Sequence, residues 1–171
     1  MMTGKITAMA LALAAATALL AGCDSDDDAT TNSSADSPQA LKPGLYQLDW
    51  EVRKLASTDH TKPATHLKIG DKGSVTGCIS AKKEADSILF AAPGETCTGA
   101  NSYMGAGRLS LTLTCTVANG MVNGGAEALF DKEDAIKQGE INQVSAFAGG
   151  GDFSMTRAFT AKRTGNCPAA K

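Results

Sequence analysis

Five cysteines carry most of the chemistry this 171-residue chain has to offer. Cys23 closes the run Leu20-Ala21-Gly22 and is followed at once by Asp24, a setting in which the thiol is a candidate for acylation. Cys78, Cys97, Cys115 and Cys167 contain no CxxC, and the only histidines, His60 and His66, lie in a polar segment around Pro63. The ligand spacing of a zinc site is therefore missing, and solvated loop histidines are expected. Ser80-Ala81-Lys82-Lys83 places a serine nucleophile three residues before a lysine base, and Lys162-Arg163-Thr164-Gly165 faintly echoes K-T-G. The S-D-N element that completes such a site is absent, so Ser80 reads as a helix cap. No G-x-S-x-G occurs, and neither histidine has a nucleophile near it in sequence. Glu51, Glu127, Glu140 and Asp152 are scattered acids with no pairing signal. Asp24, Asp26, Asp27 and Asp28 lack the loop spacing and distal Glu of a calcium site. No catalytic residue, metal or cofactor is expected, and the expectation is a non-enzymatic chain.

The segment before Cys23 says what its thiol is for. Met1 to Lys5 holds one positive charge, and Ile6 to Leu20 is apolar or small apart from two threonines. A charged start, an apolar middle and small residues at the end describe a signal peptide. Its length overlaps the lower limit for a spanning helix, so an uncleaved anchor, or ordinary secretion with Cys23 incidental, is the competing reading. Leu20-Ala21-Gly22-Cys23 resembles the lipobox of bacterial lipoproteins, which argues against both. Residues 1–22 would be removed and Cys23 acylated. Each buried methylene contributes about 0.8 kcal/mol, and two chains suffice for stable anchoring. The expected partner of Cys23 is thus the membrane, in the bacterial cell envelope and facing the periplasm. Asp24 resembles an inner-membrane retention signal, with the outer membrane as the alternative.

Composition then divides what remains. Residues 23–40 are the lipidated Cys and a stretch with five acids, no base and no large apolar side chain. Such a stretch cannot bury enough apolar surface to offset chain entropy, so a disordered tether is expected. From Leu41 onward 15 basic residues meet 13 acidic ones, with no basic stripe interleaved with aromatics. That argues against a nucleic-acid partner. Residues 41–167 are one domain's length, and 168–171 a tail. In an oxidising envelope the four remaining cysteines imply two disulfides.

The domain reads as strands. Tyr46, Leu48, Trp50 and Val52 alternate with Gln47, Asp49, Glu51 and Arg53, a half-buried strand with Trp50 on its inward face. A strand over Thr65–Ile69, a turn at Gly70–Gly73 and a strand over Ser74–Ile79 follow. Ser80 is expected to cap a short helix over Ala81–Phe90, ended by Pro93-Gly94. Leu109, Leu111, Leu113, Cys115 and Val117 share one face of the next strand. Gly105-Ala106-Gly107 precedes it as a three-residue turn. Folding there sets Tyr103 against Leu109 and Cys97 against Cys115, which leaves Cys78 to pair with Cys167. The longer loop gains about 4–5 kcal/mol and the shorter about 3 kcal/mol in chain-entropy terms. Asn119-Gly120 is a hairpin signal that puts Val122 opposite Val117 and Phe130 opposite Leu109. The inward face there is Val122, Gly124, Ala126, Ala128 and Phe130. Asp131–Asp134 turns, Ala135–Phe147 runs back, and Gly149–Gly151 turns again. The last hairpin sets Phe147 against Phe153 and Ile141 against Phe159. The two hairpin registers disagree about the inward face of Ala135–Phe147, and a bulge near Gly139 would reconcile them. Arg157 falls inward between Met155 and Phe159, either paired in the core or lining a ligand cavity. The sum is a mainly β domain, an antiparallel meander forming a curled sheet, sandwich or up-and-down barrel, with one short helix and two disulfides.

These landmarks together resemble the domain of unknown function 3617 family of small bacterial envelope proteins. The family's "PGLW/Y-E" strand is matched by Pro43-Gly44-Leu45-Tyr46, with Trp50-Glu51 slightly later. Its Cys, apolar residue and Ser/Thr are matched by Cys78-Ile79-Ser80. Its central hairpin cysteines correspond to Cys97 and to Cys115 in Leu113-Thr114-Cys115. Its closing motif is matched by Arg163-Thr164-Gly165-Asn166-Cys167. The met-rich segment usual after the first strand is polar here. The family has no established activity, so the resemblance implies fold, disulfides and location but no catalytic residue.

The function expected is that of an uncharacterised lipid-anchored binding or structural module. Inhibition of a cell-wall lytic enzyme of the lysozyme type and carriage of a small apolar ligand are the alternatives. In cells grown with labelled palmitate the chain should take up label, and Cys23→Ser should abolish it; an unlabelled wild type would refute the anchor.

Overall fold

The computed structural model describes residues 40–169. Of the signal peptide, Cys23 and acidic tether expected over residues 1–40, residues 1–39 lie outside the described residues, as do Ala170 and Lys171; Ala40, the last residue of the expected tether, packs against the core. The strands are β1 (Gly44–Ser57), β2 (Lys72–Ile79), β3 (Thr96–Gly105), β4 (Arg108–Val117), β5 (Gly120–Leu129), β6 (Ala135–Phe147) and β7 (Phe153–Gly165). They form one antiparallel sheet in the order β2-β1-β7-β6-β5-β4-β3, curled into a half-barrel. It is not a two-sheet sandwich, and β2 and β3 remain as edges. β3 to β7 follow one another as a meander, after which β7 pairs with β1 and the β1–β2 pair extends the sheet beyond it.

The period-two patterns set the faces. Tyr46, Leu48, Trp50 and Val52 of β1 are buried, as are Leu109, Leu111, Leu113 and Cys115 of β4. Val122, Ala126, Ala128 and Phe130 continue that core. Turn placement differs in three hairpins. The β3–β4 turn is Ala106-Gly107, both at positive φ, so Met104 and not Tyr103 faces Leu109. Cys97 still meets Cys115 because β3 carries an extra residue between Ala100 and Tyr103, where Asn101 is left-handed. The β4–β5 turn falls at Ala118-Asn119, so Cys115 faces Val122 and Leu109 faces Ala128. In the β6–β7 hairpin Ile141 faces Arg157 and Gly139 faces Phe159. The last two registers slip by two residues, which leaves every side chain on its expected face. The β6 bulge lies between Ile136 and Gly139. Gly139 is needed there, because a Cβ would enter the Phe159 ring.

Two expected elements are replaced. Thr65–Ile69 forms no strand. Beyond Gly70 and Asp71, which bond to Val52, the chain leaves β1 for the β6–β7 turn, where Ala64 N donates to Gly151 O at 2.8 Å. Asp59 fixes this loop by accepting from Thr61 N (2.9 Å), Gly151 N (2.7 Å) and Asp152 N (3.0 Å), and these bonds hold its carboxyl well below the usual range.

The helix over Ala81–Phe90 reduces to one 3-10 turn, Ser87–Phe90, capped by Asp86 rather than Ser80. The reason is reach. Residues 80–95 must cross from edge strand β2 to edge strand β3. A helix advances about 1.5 Å per residue against about 3.3 Å for extended chain. Ser80 instead closes a tight turn, its Oγ accepting from Lys82 N and Glu84 N. The crossing chain bonds to both edges: Asp86 N donates to Cys78 O at 2.8 Å, and Ser87 Oγ to Cys97 O at 2.6 Å. Leu89 and Phe90 fill the concave side, Phe90 meeting Phe159 edge to face at 5.8 Å.

Tyr46 anchors the start of β1. Its buried hydroxyl donates to Lys42 O at 2.8 Å and lies 3.0 Å from Glu133 O. Burial pushes the phenol up to about 12. An unfolded tyrosine ionises near 10. The stability that Tyr46 contributes is therefore whole below about pH 10 and is lost as pH rises towards 12. In Tyr103→Phe, where Tyr46 is the remaining tyrosine, phenolate absorbance should rise near pH 12; ionisation near pH 10 with the fold intact would contradict this.

Candidate functional site

Arg157 projects from β7 into the core with none of its surface exposed. Its Nη2 donates to Phe90 O at 2.6 Å and to Gln143 Oε1 at 3.1 Å, and its Nη1 to Ala91 O at 3.1 Å. Cζ lies 5.4 Å from the centre of the Trp50 ring, a cation–π distance. Nε has no partner among the described residues. Burial lowers the guanidinium to about 10, and the charge of Glu95 opposes that shift. Desolvating a cation costs several kcal/mol. Three bonds from a charged donor contribute about 1.5–3 kcal/mol each, enough to offset it. Of the two readings for Arg157, the structure shows the paired core residue.

The pairing leads outward. Gln143 is buried on β6, and its Nε2 donates to Glu95 Oε2 at 2.8 Å. The same oxygen accepts from Ala92 N at 2.9 Å. Arginine, glutamine and glutamate thus form a relay from the core to the surface, with each amide end fixed by its neighbour. Glu95 is half-buried and lines two clefts. The larger, of about 880 Å³, lies between the 64–67 loop and the β4–β5 and β6–β7 turns. Leu67, Val117, Val122, Phe147 and Phe153 supply its apolar surface. The smaller, of about 480 Å³, runs past Trp50, Gly73 and Ile88, and the two share Leu67, Ala92, Pro93 and Glu95. Neither is lined by Gly124, Ala126 or Ala128, the small inward residues of β5.

The other chemically capable residues are dispersed. Cys97 and Cys115 are ladder partners and are joined, and Cys78 and Cys167 are joined with Cα atoms 5.7 Å apart. Cys23 lies outside the described residues. Glu95, Cys97 and Cys115 form the one three-residue group with metal-ligand spacing among the described residues, but its sulfurs are bonded to each other and offer no thiolate. His60 and His66 are exposed on the loop. Glu51 pairs with Arg53 (3.2 Å) and Lys72 (3.6 Å), and Glu127 with Arg108 (3.9 Å), so these acids serve sheet neighbours. Asp152 caps the last hairpin by accepting from Phe147 N at 2.7 Å. No local sequence pattern singles out Glu95. Gln143 had a signal: with a bulge before Gly139, its position faces inward, where a polar side chain needs a partner.

Arg157→Ala should cost about 3–5 kcal/mol in chemical denaturation, because it strands Gln143 and two backbone carbonyls in the core. A loss under about 1 kcal/mol would show that the relay does not hold the crossing segment.

No curated protein and no solved structure matches the chain. One family does, that described as "Protein of unknown function (DUF3617)", over residues 41–167. That span runs from the buried Leu41 to the disulfide-bonded Cys167 and takes in every strand, both disulfides and the relay. The chain therefore belongs to the DUF3617 family of proteins of unknown function.

Proposed function

We propose that this is a lipid-anchored protein of the bacterial envelope whose folded domain is a non-enzymatic binding module for a small apolar ligand. The observation that carries the reading is the cleft of about 880 Å³ at the end of the half-barrel. Its volume falls within the roughly 300–1,000 Å³ of small-molecule sites. Its walls are mostly apolar with one carboxylate among them, the composition that takes an apolar body and orients it with a single polar contact. The Leu20-Ala21-Gly22-Cys23 motif supports the anchor, and the acidic, apolar-poor composition of the residues that follow it supports a tether between anchor and domain.

A soluble form lacking the anchor keeps every residue of the cleft. Nile red, a neutral apolar dye, should bind it saturably with a blue-shifted emission. Ala148→Trp, at the cleft rim on the β6–β7 turn, should weaken that binding roughly tenfold, which is about 1.4 kcal/mol. An equal response from both proteins would remove the cleft as the site.

A further inference from the structure

We infer that the cleft selects amphiphiles whose polar end is a cationic hydrogen-bond donor, a primary ammonium group, and that Glu95 is the residue that receives it. The inference rests on the binding reading above and names the ligand's chemistry.

Glu95 is the one Asp, Glu, Lys or Arg in the lining of the larger cleft, where His66 is the other titratable group. The smaller cleft is also lined by Asp71, whose Oδ2 accepts from Lys68 N at 2.8 Å, and by Lys72, 3.6 Å from Glu51; Glu95 is the one acid common to both clefts. The hydrogen bonds that fix Glu95 within the protein both end on Oε2, from Ala92 N and Gln143 Nε2. Oε1 has no hydrogen-bond partner among the described residues. One oxygen therefore positions the side chain while the other is an unused acceptor on a residue that lines both clefts. A carboxylate only accepts, so the complementary ligand group is a donor. A charged donor makes a bond about twice as strong as a neutral one. Apolar walls on both sides raise the local worth of the charge pair and penalise an anionic head in the same position. The relay from Arg157 holds Glu95 in place before any ligand arrives, so little ordering remains to oppose binding.

The test uses the soluble protein and three twelve-carbon probes below their micellar concentrations: dodecylammonium, dodecanol and dodecanoate, each measured by displacement of Nile red. Wild type should bind dodecylammonium roughly tenfold more tightly than dodecanol, a difference of about 1.4 kcal/mol, with dodecanoate weakest. Glu95→Gln keeps the shape of the side chain but removes its charge, and should abolish the ammonium preference, so that dodecylammonium binds no more tightly than dodecanol. An unchanged far-UV circular-dichroism spectrum of Glu95→Gln reports an intact sheet. Glu140→Gln, at an exposed position on β6, should behave as wild type. Dodecanoate binding as tightly as dodecylammonium, a preference that survives Glu95→Gln, or an equal loss in Glu140→Gln would overturn the inference while the apolar cleft stands. Failure of all three probes to bind would overturn both.

Discussion

The buried guanidinium of Arg157 is the contact on which the rest of this domain depends. A sheet that curls without closing leaves two edges and an open concave side. One chain segment, residues 80–95, spans that opening, and it is too extended to satisfy its own carbonyls as a helix would. Arg157 takes two of them, Phe90 O and Ala91 O, from inside the sheet. Leu89 and Phe90 then fill the concavity against Phe159, and Gly77 admits Leu89 at the β2 edge. Without the guanidinium the segment would present unpaired carbonyls to a dry core, which costs more than its apolar contacts readily offset.

The covalent framework serves the same segment. Cys78 lies just before it and Cys97 just after it, and each is tied to a neighbouring part of the sheet region, Cys167 and Cys115 respectively. The two ends of the crossing chain are thereby fixed by disulfides and its middle by Arg157. Removing freedom from the ends reduces what the central hydrogen bonds must hold. This explains why a domain with little aromatic residue content, one tryptophan, two tyrosines and five phenylalanines in the whole chain, can leave a cleft at its mouth and still keep a single packed core.

Most of the sheet was legible because face, unlike register, survives small errors in turn placement. The β4–β5 and β6–β7 hairpins slip by two residues from the expected pairing, and a slip of two returns each side chain to the same face. The Cys97–Cys115 pairing survives a turn shorter than expected, since the bulge at Asn101 restores the count. The conflict between the registers flanking β6 located its bulge, a case where two local rules disagreed and tertiary structure satisfied both. The helix failed for the opposite reason. Its composition was permissive, but the distance between edges β2 and β3 is a property of strand order, and strand order was not written in any local pattern. Thr65–Ile69 failed likewise, drawn off to the distant β6–β7 turn by Asp59 and Gly151. Of the site, Arg157 is legible as an inward charge; Glu95 is not, because it lies on a segment whose course depends on strand order rather than on local pattern.

The relay also settles why a charge occupies the core at all. An apolar side chain of Arg157's volume would avoid the desolvation cost, and such replacements are often neutral or stabilising when the ion pair stands alone. Here the replacement would satisfy packing and nothing else, leaving two carbonyls and Gln143 without donors. Gln143 is the informative member. It accepts from Arg157 with one end of its amide and donates to Glu95 with the other, so the guanidinium dictates which way the amide points. The position of Glu95 at the cleft wall is in turn set by that amide and by Ala92 N. The polarity of the cleft is thus determined from the core of the sheet rather than from the loops around its mouth. On the reading proposed, residues 64–67 and the two turns can vary the shape of the cleft while Arg157, Gln143 and Glu95 keep its charge in one place.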